Sequence, residues 1–102
     1  MSTLVVLFNL KADTDPAAYE QWARQTDLPV AGSLPSVDFF RLYKSQSVLM
    51  SEQAAPYQYI EVIQVNDMAQ FGQDVASATM QRVATEFQQF ADNPVFILTE
   101  QI

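Results

Sequence analysis

The chain has no histidine and no cysteine, only two glycines, and five basic side chains against 12 acidic ones. Without histidine it lacks the commonest general base and the usual zinc and haem ligand. Without cysteine it can form no disulfide, thiolate nucleophile or iron–sulfur ligand set. A net charge of −7 argues against nucleic acid, because a phosphate backbone is held by clustered Lys and Arg. No apolar run approaches the roughly 18 residues that would cross a bilayer. The first apolar segment is short, has no basic region before it and is followed at once by Lys11 and Asp13, so it does not read as a signal peptide. The expectation is a soluble, cytoplasmic protein with no membrane contact, whose acid–base chemistry falls to carboxylates, tyrosines, lysines or groups tuned by arginine.

What is present is a globular composition: 49% hydrophobic and 17% charged residues in 102 positions, enough for one compact domain spanning residues 1–102. TLVVLFNLK, residues 3–11, reads as a central strand. Asp13 and Asp15 precede Pro16, an acidic N-cap with proline in the first turn, and predict a helix over about 16–26 with Tyr19, Trp22, Ala23 and Thr26 along one side. Pro29, Gly32 and Pro35 then predict an ordered loop, long for a connection, that is either functional or simply packs its Leu28, Val30 and Leu34 over that helix. VDFFRLYKS (37–45) and YQYIEVIQV (57–65) read as a hairpin of two strands. Asp67 is a second N-cap candidate, and Met68, Phe71, Val75, Met80, Val83, Phe87 and Phe90 recur at helical spacing, with a break into two helices near Gly72 or the Ala-Ser-Ala-Thr segment. Residues 95–102 supply a last strand. The order βαββαβ predicts a ferredoxin-like α+β fold, a four-stranded antiparallel sheet carrying its helices on one face.

Strand parity sharpens this. Asn9, Arg41, Tyr43, Tyr59, Glu61 and Thr99 are odd-numbered, whereas Leu4, Val6, Phe8, Phe40, Leu42, Ile60, Val62, Phe96 and Leu98 are even. Successive strand residues point to opposite faces, so this predicts one apolar face under the helices and one mixed face. A hairpin symmetric about Ser51 would set Arg41 opposite Glu61 and Tyr43 opposite Tyr59 on that mixed face. Val5, Leu7, Phe39, Ile63, Val65, Val95 and Ile97 would lie there too. Monomers seldom expose so large an apolar patch, so a homodimer is expected, with two sheets facing each other around a lined cavity.

With this order in view, TDLPVAGSLPSVDFFRLYKS and YQYIEVIQVNDMAQFGQDVAS resemble the REDY-like family of small proteins from prodiginine (prodigiosin) pigment biosynthesis, of the HapK and PigK type. The similarity spans essentially the whole chain. It implies a dimeric α/β barrel that accompanies assembly of the methoxy-bipyrrole carbaldehyde half of the pigment, and it carries no established catalytic set. The fold also resembles small cofactor-independent monooxygenases of antibiotic and polyketide pathways. Asn9 is similar to the first-strand asparagine of their haem-degrading relatives, but those also use a histidine, and Trp22 lies on the first helix. No cofactor is assigned.

Candidate site residues follow from the mixed face. Arg41 and Glu61 read either as a cavity pair, the guanidinium recognising a carboxylate or enolate-like oxygen while Glu61 moves protons, or as a cross-strand ion pair fixing register. Tyr43 and Tyr59 offer flat walls with hydroxyls for an aromatic or pyrrole-type ligand, or ordinary sheet packing. Asn9 needs a partner if buried, and Trp22 belongs to the core or to the cavity wall. The acidic residues Asp13, Asp15, Asp67, Glu86 and Asp92 lack ligand spacing, so no metal is assigned. Two functions stay open: a cofactor-independent catalyst acting on such an intermediate, or a non-catalytic carrier or chaperone serving another biosynthetic enzyme.

Overall fold

In the computed structural model, which describes residues Met1–Ile102, the chain runs β1 (Ser2–Leu10), α1 (Pro16–Trp22), a π-helical turn (Ala23–Asp27), α2 (Leu28–Ala31), β2 (Val37–Lys44), β3 (Tyr59–Val65), α3 (Met68–Asp74), α4 (Ala78–Phe90) and β4 (Ala91–Thr99). The strands form one antiparallel sheet in the order β2-β3-β1-β4, the ferredoxin-like arrangement. No helix is long and apolar enough to cross a membrane. The caps stand where the sequence puts them. The Asp15 carboxylate accepts from the Ala17 amide with Pro16 opening α1, and Asp67 accepts from the Gln70 amide to open α3. The second helical segment does break in two, between Asp74 and Ala78.

The helical layer departs from expectation between residues 26 and 36. In place of a loop, the helix continues to Ala31 through the π turn, in which the Leu28 amide reaches back to the Ala23 carbonyl. Pro29 has no N–H to donate, and it falls just after the π turn, where the regular helical bonding is already interrupted. Tyr19, Ala23, Asp27 and Ala31 are all buried at a constant spacing of four. In a plain α-helix such a row drifts by about 40° per step. The wider π turn takes up that drift and keeps all four against the sheet. Gly32 closes the segment at a point where a β-carbon would collide with the Leu28 carbonyl oxygen. Gly32→Ala should therefore cost about 1–3 kcal/mol, read as a lower urea midpoint with an unchanged m-value.

The register of β3 also differs. Arg41 lies opposite Val62, Tyr43 opposite Ile60, Leu42 opposite Glu61 and Lys44 opposite Tyr59, one residue away from a hairpin symmetric about Ser51. Because the side-chain period is two, that single step exchanges the faces of the whole strand. Tyr59, Glu61, Ile63 and Val65 therefore face the helices together with Leu4, Val6 and Phe8 of β1. Ile60, Val62 and Gln64 join Arg41, Tyr43, Val5 and Leu7 on the open face. β1, β2 and β4 keep the parity read from sequence. On β4 the strand begins earlier than expected, at Ala91; a register shift opposite Leu7–Asn9, with Asn93 at φ 47°, accommodates Pro94.

The core centres on Phe8, fully buried, stacked on Tyr59 at 5.5 Å and edge-on to Tyr19 at 5.6 Å and Phe87 at 5.0 Å. A second cluster of Val37, Ile63 and Val65 packs against Leu34, Phe40 and Phe71. At its edge the Asp74 carboxylate accepts from the Ser36 amide (3.1 Å) and hydroxyl (2.6 Å), tying the end of α3 to the start of β2.

Candidate functional site

Between these two clusters the helices and the sheet leave a cavity of about 190 Å³. Its floor is Leu4, Val6, Phe40 and Ile63, its roof comes from Ala31, Phe71, Val83 and Phe87, and Phe96 of β4 and Gln88 of α4 stand at its exposed side. Cavities of about 150 Å³ with apolar walls stay dry and take up benzene, so this one matches a ligand of one or two rings. Of 17 lining residues 13 are hydrophobic; the polar side chains among the rest are Asp27, Glu61 and Gln88.

Glu61 occupies the middle of β3, flanked by Val6 of β1 and Leu42 of β2. It is 4% exposed, and its Oε1 has no hydrogen-bond partner. Burial pushes its carboxyl well above the usual carboxylate range, and the charge of Asp27 pushes it further in the same direction. Asp27, the last residue of the π turn, is 7% exposed. Burial alone, with no hydrogen bond or counter-charge to oppose it, pushes its carboxyl up to about 7. The Tyr19 hydroxyl is buried and unpartnered too. Burial first, then the charges of Glu61 and Asp27, raise its pKa, so it stays protonated. Both carboxyls are thus biased toward their protonated forms, in a wall that offers no cation to neutralise them.

Of the candidate site residues read from the sequence, only Glu61 lines this cavity. Arg41 is on the opposite face of the sheet, its guanidinium 4.0 Å from the Phe39 ring centre. The pairing of Arg41 with Glu61 is thus corrected: the one-residue register step puts the sheet between them. Tyr43 and Tyr59 are separated in the same way. Tyr43 is half-exposed on the open face, whereas Tyr59 is a core residue whose hydroxyl donates to Glu20 Oε2 at 2.7 Å, where Lys44 Nζ also sits at 3.1 Å. Asn9 holds the β2–β3 connection against β1, donating to the Pro56 carbonyl (3.2 Å) and accepting from the Gln58 amide (2.9 Å). Trp22 packs on Tyr19 and Phe90, and its Nε1 donates to Glu86 of α4 at 2.9 Å. Asp27 went unnoticed in the sequence, although the four-residue row Tyr19, Ala23, Asp27, Ala31 would have placed it inside.

The family model described as REDY-like protein HapK matches residues 2–102. The crystal structure of HapK from Hahella chejuensis is similar at 30% identity, TM-score 0.79, over 100% of this chain and 93% of that one. The fold alone is shared with SnoaB, a cofactor-independent oxygenase from Streptomyces nogalater, at 16% identity and TM-score 0.77 over 98% and 91% of the two chains. It is shared likewise with a dimeric ferredoxin-like protein of unknown function from Thermobifida fusca, at 11% identity and TM-score 0.76 over 98% and 90%. No curated protein matches.

Proposed function

The chain belongs to the REDY-like HapK family, and from that premise and the two-carboxyl cavity we propose that it binds an aromatic or pyrrole-type intermediate of prodiginine pigment biosynthesis, in the methoxy-bipyrrole carbaldehyde branch, and moves a proton on it. The observation that carries this is the unpartnered, buried Glu61 carboxyl, which lines with Asp27 an apolar cavity of ring size. Burying such a group unpaired costs about 1–3 kcal/mol, a cost that a ligand satisfying Oε1 would remove.

The two carboxyls suit complementary roles. Asp27, poised near neutral pH, accepts a proton from the ligand as general base, and protonated Glu61 donates one at a second ligand atom. The ligand leaves as a tautomer with no net change in composition, and the proton passes from Asp27 back to Glu61 to reset the pair. SnoaB, of the same fold, is described as a cofactor-independent oxygenase, which supports chemistry carried by side chains in this scaffold.

Solvent-deuterium incorporation into bipyrrole carbaldehyde precursors, followed by NMR, tests the proposal. Wild-type protein should accelerate exchange, Glu61→Gln should lose about 10²–10⁴-fold of that rate, and Arg41→Ala should leave it intact because Arg41 lies beyond the sheet. Binding without exchange or turnover would overturn the catalytic reading in favour of a carrier or chaperone for another pathway enzyme.

The proposal includes a homodimer. Val5, Leu7, Ile60, Val62, Val95 and Ile97 share the open face, which no element of the chain covers, and similar folds include dimeric proteins.

A further inference from the structure

The chain carries five basic side chains, Lys11, Arg24, Arg41, Lys44 and Arg82. All five are exposed, and none lines the cavity between sheet and helices. Its polar side chains are two carboxyls and one amide, and the backbone amide of Met80, the first-turn residue of α4 that lines the cavity, is taken up by the Ser77 side chain. An anion entering this space would meet two acidic groups and no counter-charge, with apolar walls excluding the water that would screen it. With the Glu61 proton on Oε2, Oε1 is an acceptor, and an uncharged ligand without a hydrogen-bond donor would leave it as unpaired as it is in the empty protein. A ring nitrogen bearing hydrogen removes both difficulties, since it donates to Oε1 and brings no negative charge.

We infer that the cavity selects neutral or cationic ring compounds that present an N–H to Glu61 Oε1, and that it rejects carboxylates and other anions of the same size. This rests on the proposed use of the cavity as the ligand site, and deepens it by fixing the electrical sense of recognition. That sense is opposite to the one Arg41 would impose, an anion held by a guanidinium, were it in the cavity.

Three probes of nearly equal shape separate the possibilities: indole, which has the N–H; benzofuran, in which oxygen replaces it; and indole-2-carboxylate, which adds the anion. Isothermal titration of the full chain at pH 7 should show indole binding about tenfold more tightly than benzofuran, the factor expected of one net hydrogen bond to a buried acceptor, with no measurable affinity for the carboxylate. In Glu61→Leu the preference for indole should vanish while benzofuran binds as well as before or better; retained benzofuran binding shows that the cavity still stands. Equal affinity of wild-type protein for indole and benzofuran, or tighter binding of the carboxylate, overturns the inference while leaving proton transfer at the site to its own exchange test. Failure of all three probes to bind overturns both readings, because the space would then not be a ring-ligand site at all.

Discussion

Asp27→Asn should make the protein more stable at pH 8 and less active. In the folded chain burial raises the Asp27 carboxyl from its ordinary 3.8 to about 7, so between those values the folded state holds a proton that the unfolded chain has released. Stability is therefore fully present below about pH 4, falls as pH rises through the window to 7, and is level above it. Raising the carboxyl from 3.8 to about 7 at 1.36 kcal/mol per pH unit bounds the loss at about 4 kcal/mol, and about 2–4 kcal/mol is the gain expected for Asn, which does not titrate but still has a polar amide to desolvate. Urea melts at pH 4, 5.5, 7 and 8 should show the wild type losing stability across the series and Asp27→Asn losing much less. The residual slope belongs to Glu61, shifted in the same direction. Glu20 and Asp74 act oppositely: hydrogen bonds from Tyr59 and from Ser36, respectively, hold them low, so their contribution is lost only on the acid side. In deuterium exchange the same variant should fall about 10²–10⁴-fold. Stability gained where activity is lost is the signature of a group kept for chemistry. An Asp27→Asn protein no more stable at pH 8 would show that the carboxyl is paired or hydrated in solution.

The sequence made most of the fold legible and concealed most of the site, for reasons that lie in particular residues. Parity on β2 was readable because its faces differ, Phe40 and Leu42 against Arg41 and Tyr43, whereas β1 and β4 are apolar on both faces and only Asn9 and Thr99 mark one of them. β3 carries large apolar residues on both: Tyr59, Ile63 and Val65 on one side, Ile60 and Val62 on the other. Its face is decided by register, and register by the 14-residue connection between Lys44 and Tyr59, where Met50 adopts φ 60° and Asn9 ties Pro56 and Gln58 to β1. A symmetric connection misses that register by one residue, and one residue moved Glu61 from the open face to the cavity. Asp27 was hidden by a different device. Two prolines and a glycine within seven positions signal the end of a helix, whereas a π turn lets this one continue past Pro29 and turns a carboxyl inward. Both misplacements concern the same space, because bulges and register steps are where a chain departs from its local preferences to aim a side chain.

Val62→Lys should convert a dimer into a folded monomer. Val62 sits on the central strand β3, between Val5 and Arg41, in the middle of the open face, so that in a two-fold pairing of sheets it lies near the axis and meets its own copy. A lysine there would bury two ammonium groups beside two guanidinium groups, with no carboxylate among the neighbouring Val5, Arg41, Ile60 and Gln64, a cost of several kcal/mol per ion that the apolar contacts would not offset. Sedimentation equilibrium should give twice the chain mass for wild type and the single-chain mass for Val62→Lys, with the far-UV spectrum unchanged because the Phe8 core lies on the other side of the sheet. A wild-type monomer, or a dimer that survives the substitution, would overturn the pairing. The two faces are then separable by experiment. Val62→Lys should change mass while indole binding persists, and Glu61→Leu should change ligand preference while the dimer persists. If instead the monomeric variant loses its ligand, the cavity depends on the partner. The exposed Phe96 at its rim, on a β4 whose Val95 and Ile97 belong to the open face, is the link through which that dependence would act.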